Sequence, residues 1–252
     1  MNVRRVLAPN PGPYTGEGTN SYVLDSGGDV VVIDPGPRVS RHMEAIMSVI
    51  GDLRPRMVLV THTHSDHAPG ANPLARELHV PAAGFGPGDG FKPDRTLADN
   101  DIMRFGGDVL HVVATPGHSP DHLCYLVGRA LFTGDHIMGG SSVFVEDMTS
   151  YLGSLRRLQH LDLDTLYPGH GPTMNDPQAV IAGYLDHRLE RERQILGAAR
   201  SGAVTVGAIV DAVYANVDPT LHPLAAVAVR AHLRKLDDDG LLTVDGDRVV
   251  VR

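Results

Sequence analysis

The segment Thr61-His62-Thr63-His64-Ser65-Asp66-His67 constrains this chain more than any other. It follows directly on residues 57–60, Met-Val-Leu-Val, an apolar run of the kind that forms a buried strand. Four metal-ligating side chains within six residues at the exit of such a strand are costly unless something satisfies them. Alternation along an extended segment sets His62 and His64 on one side. Asp66 and His67 follow where the chain bends away, so they can face a second ion beside the first. A solvated polar loop accounts for two histidines; H-x-H-x-D-H makes that reading improbable. The chain holds 14 histidines and no tryptophan, and further candidates follow strands in glycine-bounded turns. His118 lies in Thr115-Pro116-Gly117-His118-Ser119, Asp135 in Thr133-Gly134-Asp135, and His170 in Tyr167-Pro168-Gly169-His170-Gly171. Any one alone is a turn residue. As a set on loops at strand ends they support one another.

Patterning predicts strands at 21–24, 30–33, 57–60, 109–114, 123–127, 130–132 and 165–167. Helices are expected at 40–50, with Ser40 as the cap, and at 72–78 and 151–160. Strands alternating with helices argue for a layered α/β fold. After Pro177 the character changes. A long charged helix over 179–200 precedes short helices at 206–214 and 223–236, then a hairpin at 243–251 turning on Asp245-Gly246. Helix, helix, hairpin is a winged-helix-like order. Residues 179–252 carry nine Arg/Lys against ten Asp/Glu, a net −1, which makes a poor reader of duplex DNA and favours a packing or dimerisation role.

Composition narrows the function classes. Lys+Arg 22 against Asp+Glu 30 gives −8, opposite to the broad basic face of non-specific nucleic-acid binding. Only Lys92 and Lys235 are lysines. No run approaches the roughly 20 apolar residues of a membrane helix. The Pro/Gly-rich opening shows no apolar signal block, so secretion is not expected. The single cysteine, Cys124, excludes an internal disulfide and suits a cytoplasmic location. A Walker-type loop and a G-x-S-x-G elbow are both missing, which disfavours an NTPase or a serine hydrolase.

H-x-H-x-D-H, with the later His118, Asp135 and His170, resembles the metal signature of the metallo-β-lactamase superfamily. Asn10-Pro11-Gly12-Pro13, Gly18-Thr19-Asn20-Ser21-Tyr22, Ile33-Asp34-Pro35-Gly36, Tyr167-Pro168-Gly169-His170-Gly171-Pro172 and His187-Arg188 are similar to its β-lactamase-like protein 2 branch. That branch includes a mitochondrial endoribonuclease and has bacterial relatives; the helix–helix–hairpin tail matches it too. The resemblance implies an α/β fold, the four-layer αββα sandwich, over residues 1–178. Residues 179–252 then form the long helix and a small winged-helix-like domain. It also implies a dinuclear site: His62, His64 and His118 on one ion, Asp66, His67 and His170 on the other, Asp135 bridging. Asp34 would support the metal loop. Two Zn2+ ions are expected, with Fe or Mn chemically tolerable, because imidazole and carboxylate donors do not choose by softness.

Two such ions about 3.5–4 Å apart can share a water and lower its pKa from 15.7 toward ~7, giving a metal-bridging hydroxide. Asp66 is the candidate to orient it and relay its proton. Three substrates follow: single-stranded RNA by whole-chain resemblance, a glyoxalase II-like thioester from the reading of the 61–67 motif, and weak β-lactam hydrolysis. Thr63 and Ser65 stand where the ribonuclease branch has a bulky aromatic and a basic residue, and Asp rather than Cys occupies position 135. His187 and Arg188 are candidate anion-binding residues, whereas Arg191 and Arg193 suit a solvated helix face. His122 and His136 read either as supporting or substrate groups, or as partly exposed loop residues. A small-molecule ester or thioester, or single-stranded RNA, is thus the expected partner, with no membrane, no duplex DNA and a possible homodimer. A metal-bound RNA-binding scaffold without catalysis is the non-enzyme alternative, and seven intact ligand positions speak against it.

Overall fold

Alternation of apolar side chains along the strands decides the layering. The computed structural model describes residues 1–139 and 143–252. Strands β1 (Asn2–Leu7), β2 (Asn20–Ser26), β3 (Asp29–Ile33), β4 (Arg54–Leu59), β5 (Ala82–Gly84) and β6 (Arg95–Thr96) form one sheet in that order. Its first three strands are antiparallel and the rest parallel, connected through helices α1 (Ser40–Ile50) and α2 (Ala71–Glu77). Strands β7 (Ile102–Phe105), β8 (Asp108–Ala114), β9 (Leu123–Val127), β10 (Ala130–Gly134) and β11 (Thr165–Pro168) form the second, in the order β11-β10-β9-β8-β7. Helix α3 (Met148–Gln159) makes the parallel crossover from β10 to β11.

In β3, Val31 and Ile33 face the second sheet and meet Leu110, Leu123, Tyr125 and Phe132. Val30 and Val32 point the other way, onto Ile46, Ile50 and Leu74 of α1 and α2. The outer face of the second sheet, with Val113, Cys124, Leu131 and Leu166, packs on Tyr151 and Leu155 of α3 and on Ile181 of α4 (Pro177–Arg200). The order is helix, sheet, sheet, helix.

Local signals explain the ends. Asp147 accepts from the N–H groups of Thr149 and Ser150 and starts α3; Asp176 caps α4, with Pro177 in its first turn. At α1 the expected serine cap is not used. Ser40 is already helical, and Val39 takes the cap position with no side-chain bond. The sequence pattern also passed over β1, β5, β6 and β7. β1 opens a Pro/Gly-rich stretch, and β5 and β6 have only three and two residues, too short for a period to register.

Beyond α4 come α5 (Val206–Val213), a 3-10 turn at Pro219–Leu221, α6 (His222–Asp238), β12 (Leu242–Asp245) and β13 (Arg248–Val251). Ile195, Ile209, Val229, Leu233, Leu242 and Val249 give this part its own core, in winged-helix order. Ala231 of α6 packs instead with α3 and α4, joining the tail to the sandwich. Among the described residues no helix is long and apolar enough to cross a membrane.

Candidate metal centre

The loops at one edge of the two sheets bring all seven sequence candidates together. His62 Nε2 and His64 Nδ1 lie 3.0 Å apart, and His118 Nε2 is 3.3 Å from the first and 3.0 Å from the second. His170 Nε2 lies 3.1 Å from Asp66 Oδ2 and 3.2 Å from His67 Nε2. Asp135 stands between the two groups. Its Oδ1 is 3.3 Å from His67 Nε2, and its Oδ2 is 3.3 Å from His170 Nε2 and 3.9 Å from His118 Nε2.

Hydrogen bonds on the far side of each ring decide what the near side offers. Thr61 Oγ1 has one proton, donated to Asp34 Oδ2 at 2.7 Å, so it accepts from His62 Nδ1 at 3.0 Å. His67 Nδ1 donates to the same Asp34 oxygen (2.9 Å), His118 Nδ1 to the Phe144 carbonyl (2.8 Å) and His170 Nδ1 to the Gly18 carbonyl (3.2 Å). With these tautomers four Nε2 lone pairs converge on one another and on two carboxylates. Asp135 Oδ1 is buried without a hydrogen-bond donor. Such a set of donors needs cations between them, and N and O donors at this spacing fit divalent metals. Three groups of ligand atoms have this character: His62, His64 and His118; His62, His67 and Asp135; Asp66, His67 and His170.

Without metal, protons supply the positive charge. Burial works against the His170 cation, but Asp135 and Asp66 outweigh it and raise the ring to about 9. His67 moves the same way: burial opposes its charge, and Asp135, Asp34 and Asp66 raise it well above the usual value. Burial tends to raise the Asp66 carboxyl, but the charge of His67 and the hydrogen bond from His170 hold it at about 2. Burial lowers His62 and His118, so both stay neutral.

The backbone is built around this cluster. Asp34, at φ 48°, accepts from the Thr61 N–H as well as from Thr61 Oγ1 and His67, and so fixes both ends of the H-x-H-x-D-H loop. Asn20 Nδ2 donates to the Pro168 and Gly171 carbonyls, both at 2.9 Å, and Tyr22 Oη donates to Pro168 at 2.7 Å. These bonds clamp the turn that carries His170. Gly169 has to be glycine, because a Cβ there would lie 2.4 Å from Asp135 Oδ1. Thr61, Asn20, Tyr22, Gly18 and Asp121, which accepts from the Thr63 N–H, were not identified as site residues from the sequence. Their side chains are ordinary, and only the fold places them here.

His122 and His136 are fully buried, which corrects the reading of either as a partly exposed loop residue. His122 Nε2 accepts from the Asp135 N–H, holding the loop of that aspartate. Arg188 is also buried. Its Nη2 donates to the Val143 carbonyl, beside the Phe144 carbonyl that anchors His118, and its guanidinium lies over the Tyr151 ring. His187 is exposed.

Residues 14–170 match the profile of the metallo-β-lactamase superfamily, and residues 205–249 that of the β-lactamase-associated winged helix domain. The chain belongs to the metallo-β-lactamase superfamily and is a hydrolase of that class. A β-lactamase-like protein 2 homolog from Caenorhabditis elegans is 31% identical over 252 residues, covering 95% of this chain and 85% of its own. An atrochrysone carboxyl ACP thioesterase from Aspergillus chevalieri is 33% identical over 264 residues, covering 98% and 82%. A β-lactamase domain protein from Burkholderia ambifaria shares the fold, with a TM-score of 0.85 at 22% identity over 99% of this chain and 91% of its own.

Proposed function

We propose that the chain is a two-zinc hydrolase of acyl thioesters. The convergence of four imidazole lone pairs on two carboxylates carries the hydrolytic part of this reading. His62, His64 and His118 would hold one ion, Asp66, His67 and His170 the other, with Asp135 between them. When bound, the ions supply Lewis acidity and a water acidic enough to attack at neutral pH.

The rest is done by the chain itself. Thr19 Oγ1 donates to Asp66 Oδ2 at 3.4 Å, the oxygen that faces His67 and His170, which leaves Oδ1 to take the proton from the attacking water. The Asp66 side chain is 25% exposed against 10% for Asp135, so it is the carboxylate open to a substrate. The Phe144 ring, partly exposed and 6.5 Å from the His118 ring, offers an acyl chain an apolar surface beside the metals.

Thioesters are favoured over RNA by the fungal relatives named as ACP thioesterases, which align along nearly this whole chain. The −8 charge also disfavours a polyanion. The test is a parallel turnover assay on metal-quantified protein, with an acyl-CoA, a glutathione thioester, single-stranded RNA and a chromogenic β-lactam. Hydrolysis of a thioester, lost in Asp66→Ala, is the expected result. Cleavage of RNA with no thioester turnover would overturn the thioester reading.

A further inference from the structure

A groove of about 660 Å³ lies beside the metal loop, and its walls carry Arg38, Arg76 and Lys92. All three side chains are exposed, and among the described residues no carboxylate lies within 4.0 Å of any of them. Asp94 is the acid on the rim, with its Oδ2 taken by the Ala82 N–H. Three cations against one carboxylate is a local excess in a chain of net charge −8, and Lys92 is one of its two lysines.

The groove is built on the same loop that carries His62 to His67. The turn leading to Arg38 is stitched to it by Gly36 N–H to the His67 carbonyl (3.1 Å) and Gly70 N–H to the Gly36 carbonyl (2.9 Å). Helix α2 begins where the loop ends and places Asn72 and Arg76 one turn apart on the same face. Asn72 grips the Lys92 main chain from both sides, donating to its carbonyl at 2.7 Å and accepting from its N–H at 2.9 Å. Lys92 and Arg76 therefore share a wall. Gly88, which also lines the groove, sits so close to Thr63, the residue between His62 and His64, that a Cβ there would be 2.3 Å from the threonine.

We infer that this groove binds the phosphate of a phosphopantetheine arm, the carrier through which acyl thioesters are presented, while the thioester itself reaches the metals. The inference rests on the thioesterase reading and adds the recognition element. A volume of this size is typical of small-ligand sites, and exposed cations with no carboxylate partner suit a phosphate that stays partly solvated.

The experiment compares 4′-phosphopantetheine with pantetheine in calorimetric binding to the zinc-loaded protein, then repeats both with the Arg76→Ala/Lys92→Ala variant. Wild type is expected to favour the phosphorylated compound by about tenfold, and the variant to lose the preference. The ratio of kcat/KM for S-acyl-phosphopantetheine over S-acyl-pantetheine should fall in parallel. Equal binding of the two compounds by wild type would overturn the inference, as would a preference that survives in the variant. Hydrolysis of both thioesters at equal kcat/KM sinks the groove alone, whereas hydrolysis of neither sinks the thioesterase reading. Loss of single-stranded RNA cleavage in the variant, with no phosphopantetheine preference in wild type, would hand the groove to a polynucleotide instead.

Discussion

At Thr61 a single hydroxyl proton sets the chemistry of the site. Donated to Asp34, it obliges the oxygen to accept from His62 and so turns the Nε2 lone pair of that ring inward. Thr61→Val is therefore expected to weaken metal binding by about 10- to 100-fold in chelator competition, while Thr61→Ser retains it. Titration gives a second test. His170 rises from 6.5 to about 9 in the metal-free fold, so its contribution to stability is complete below pH 6.5 and is lost as pH rises through 9. His42 and His136 run the other way. Burial lowers them to about 4 and about 3, so the unfolded chain takes up protons first and stability falls as pH drops below 6.5. Metal-stripped protein should thus melt highest near pH 6.5, and zinc should remove the loss on the alkaline side. A melting temperature of stripped protein that climbs steadily to pH 9 would contradict this.

Among the elements, the turn after β11 is the most demanding. It brings His170 to the metals only because Gly169 carries no side chain and Asn20 and Tyr22 hold the neighbouring carbonyls. Gly169→Ala should lower metal content measured by elemental analysis, with affinity down by about 10- to 100-fold, and leave far-UV circular dichroism unchanged. Asp147→Ala removes the cap of α3, a helix on the outer face. It should cost about 1 kcal/mol in denaturant unfolding and leave metal content alone. The sequence revealed the long elements and the ligand loop because apolar runs and H-x-H-x-D-H are local signals. What it left hidden is non-local: Asn20 reaches Pro168 across 148 residues, and His67 reaches His170 across 103. Short strands such as β5 and β6 are held by their neighbours in the sheet rather than by a period of their own.

For the whole molecule, two sheets with helices outside place every ligand loop at one edge, and the winged helix joins the sandwich through α6 against α3 and α4. The seven ligand candidates were legible because four share the H-x-H-x-D-H motif after β4, and His118, Asp135 and His170 each follow a strand in a glycine-bounded turn. The groove of Arg38, Arg76 and Lys92 was not, since its cations come from three separate segments with no shared pattern. On the function proposed above, the cluster around Asp135 works only as a metal centre. The most direct test is a zinc titration of chelator-stripped protein, with bound metal and hydrolysis followed together in wild type and Asp135→Ala. Stripped protein should show no turnover, wild type should recover it with saturation at two ions per chain, and the variant should reach neither full loading nor turnover. Full turnover by stripped protein, or by Asp135→Ala, would contradict that function.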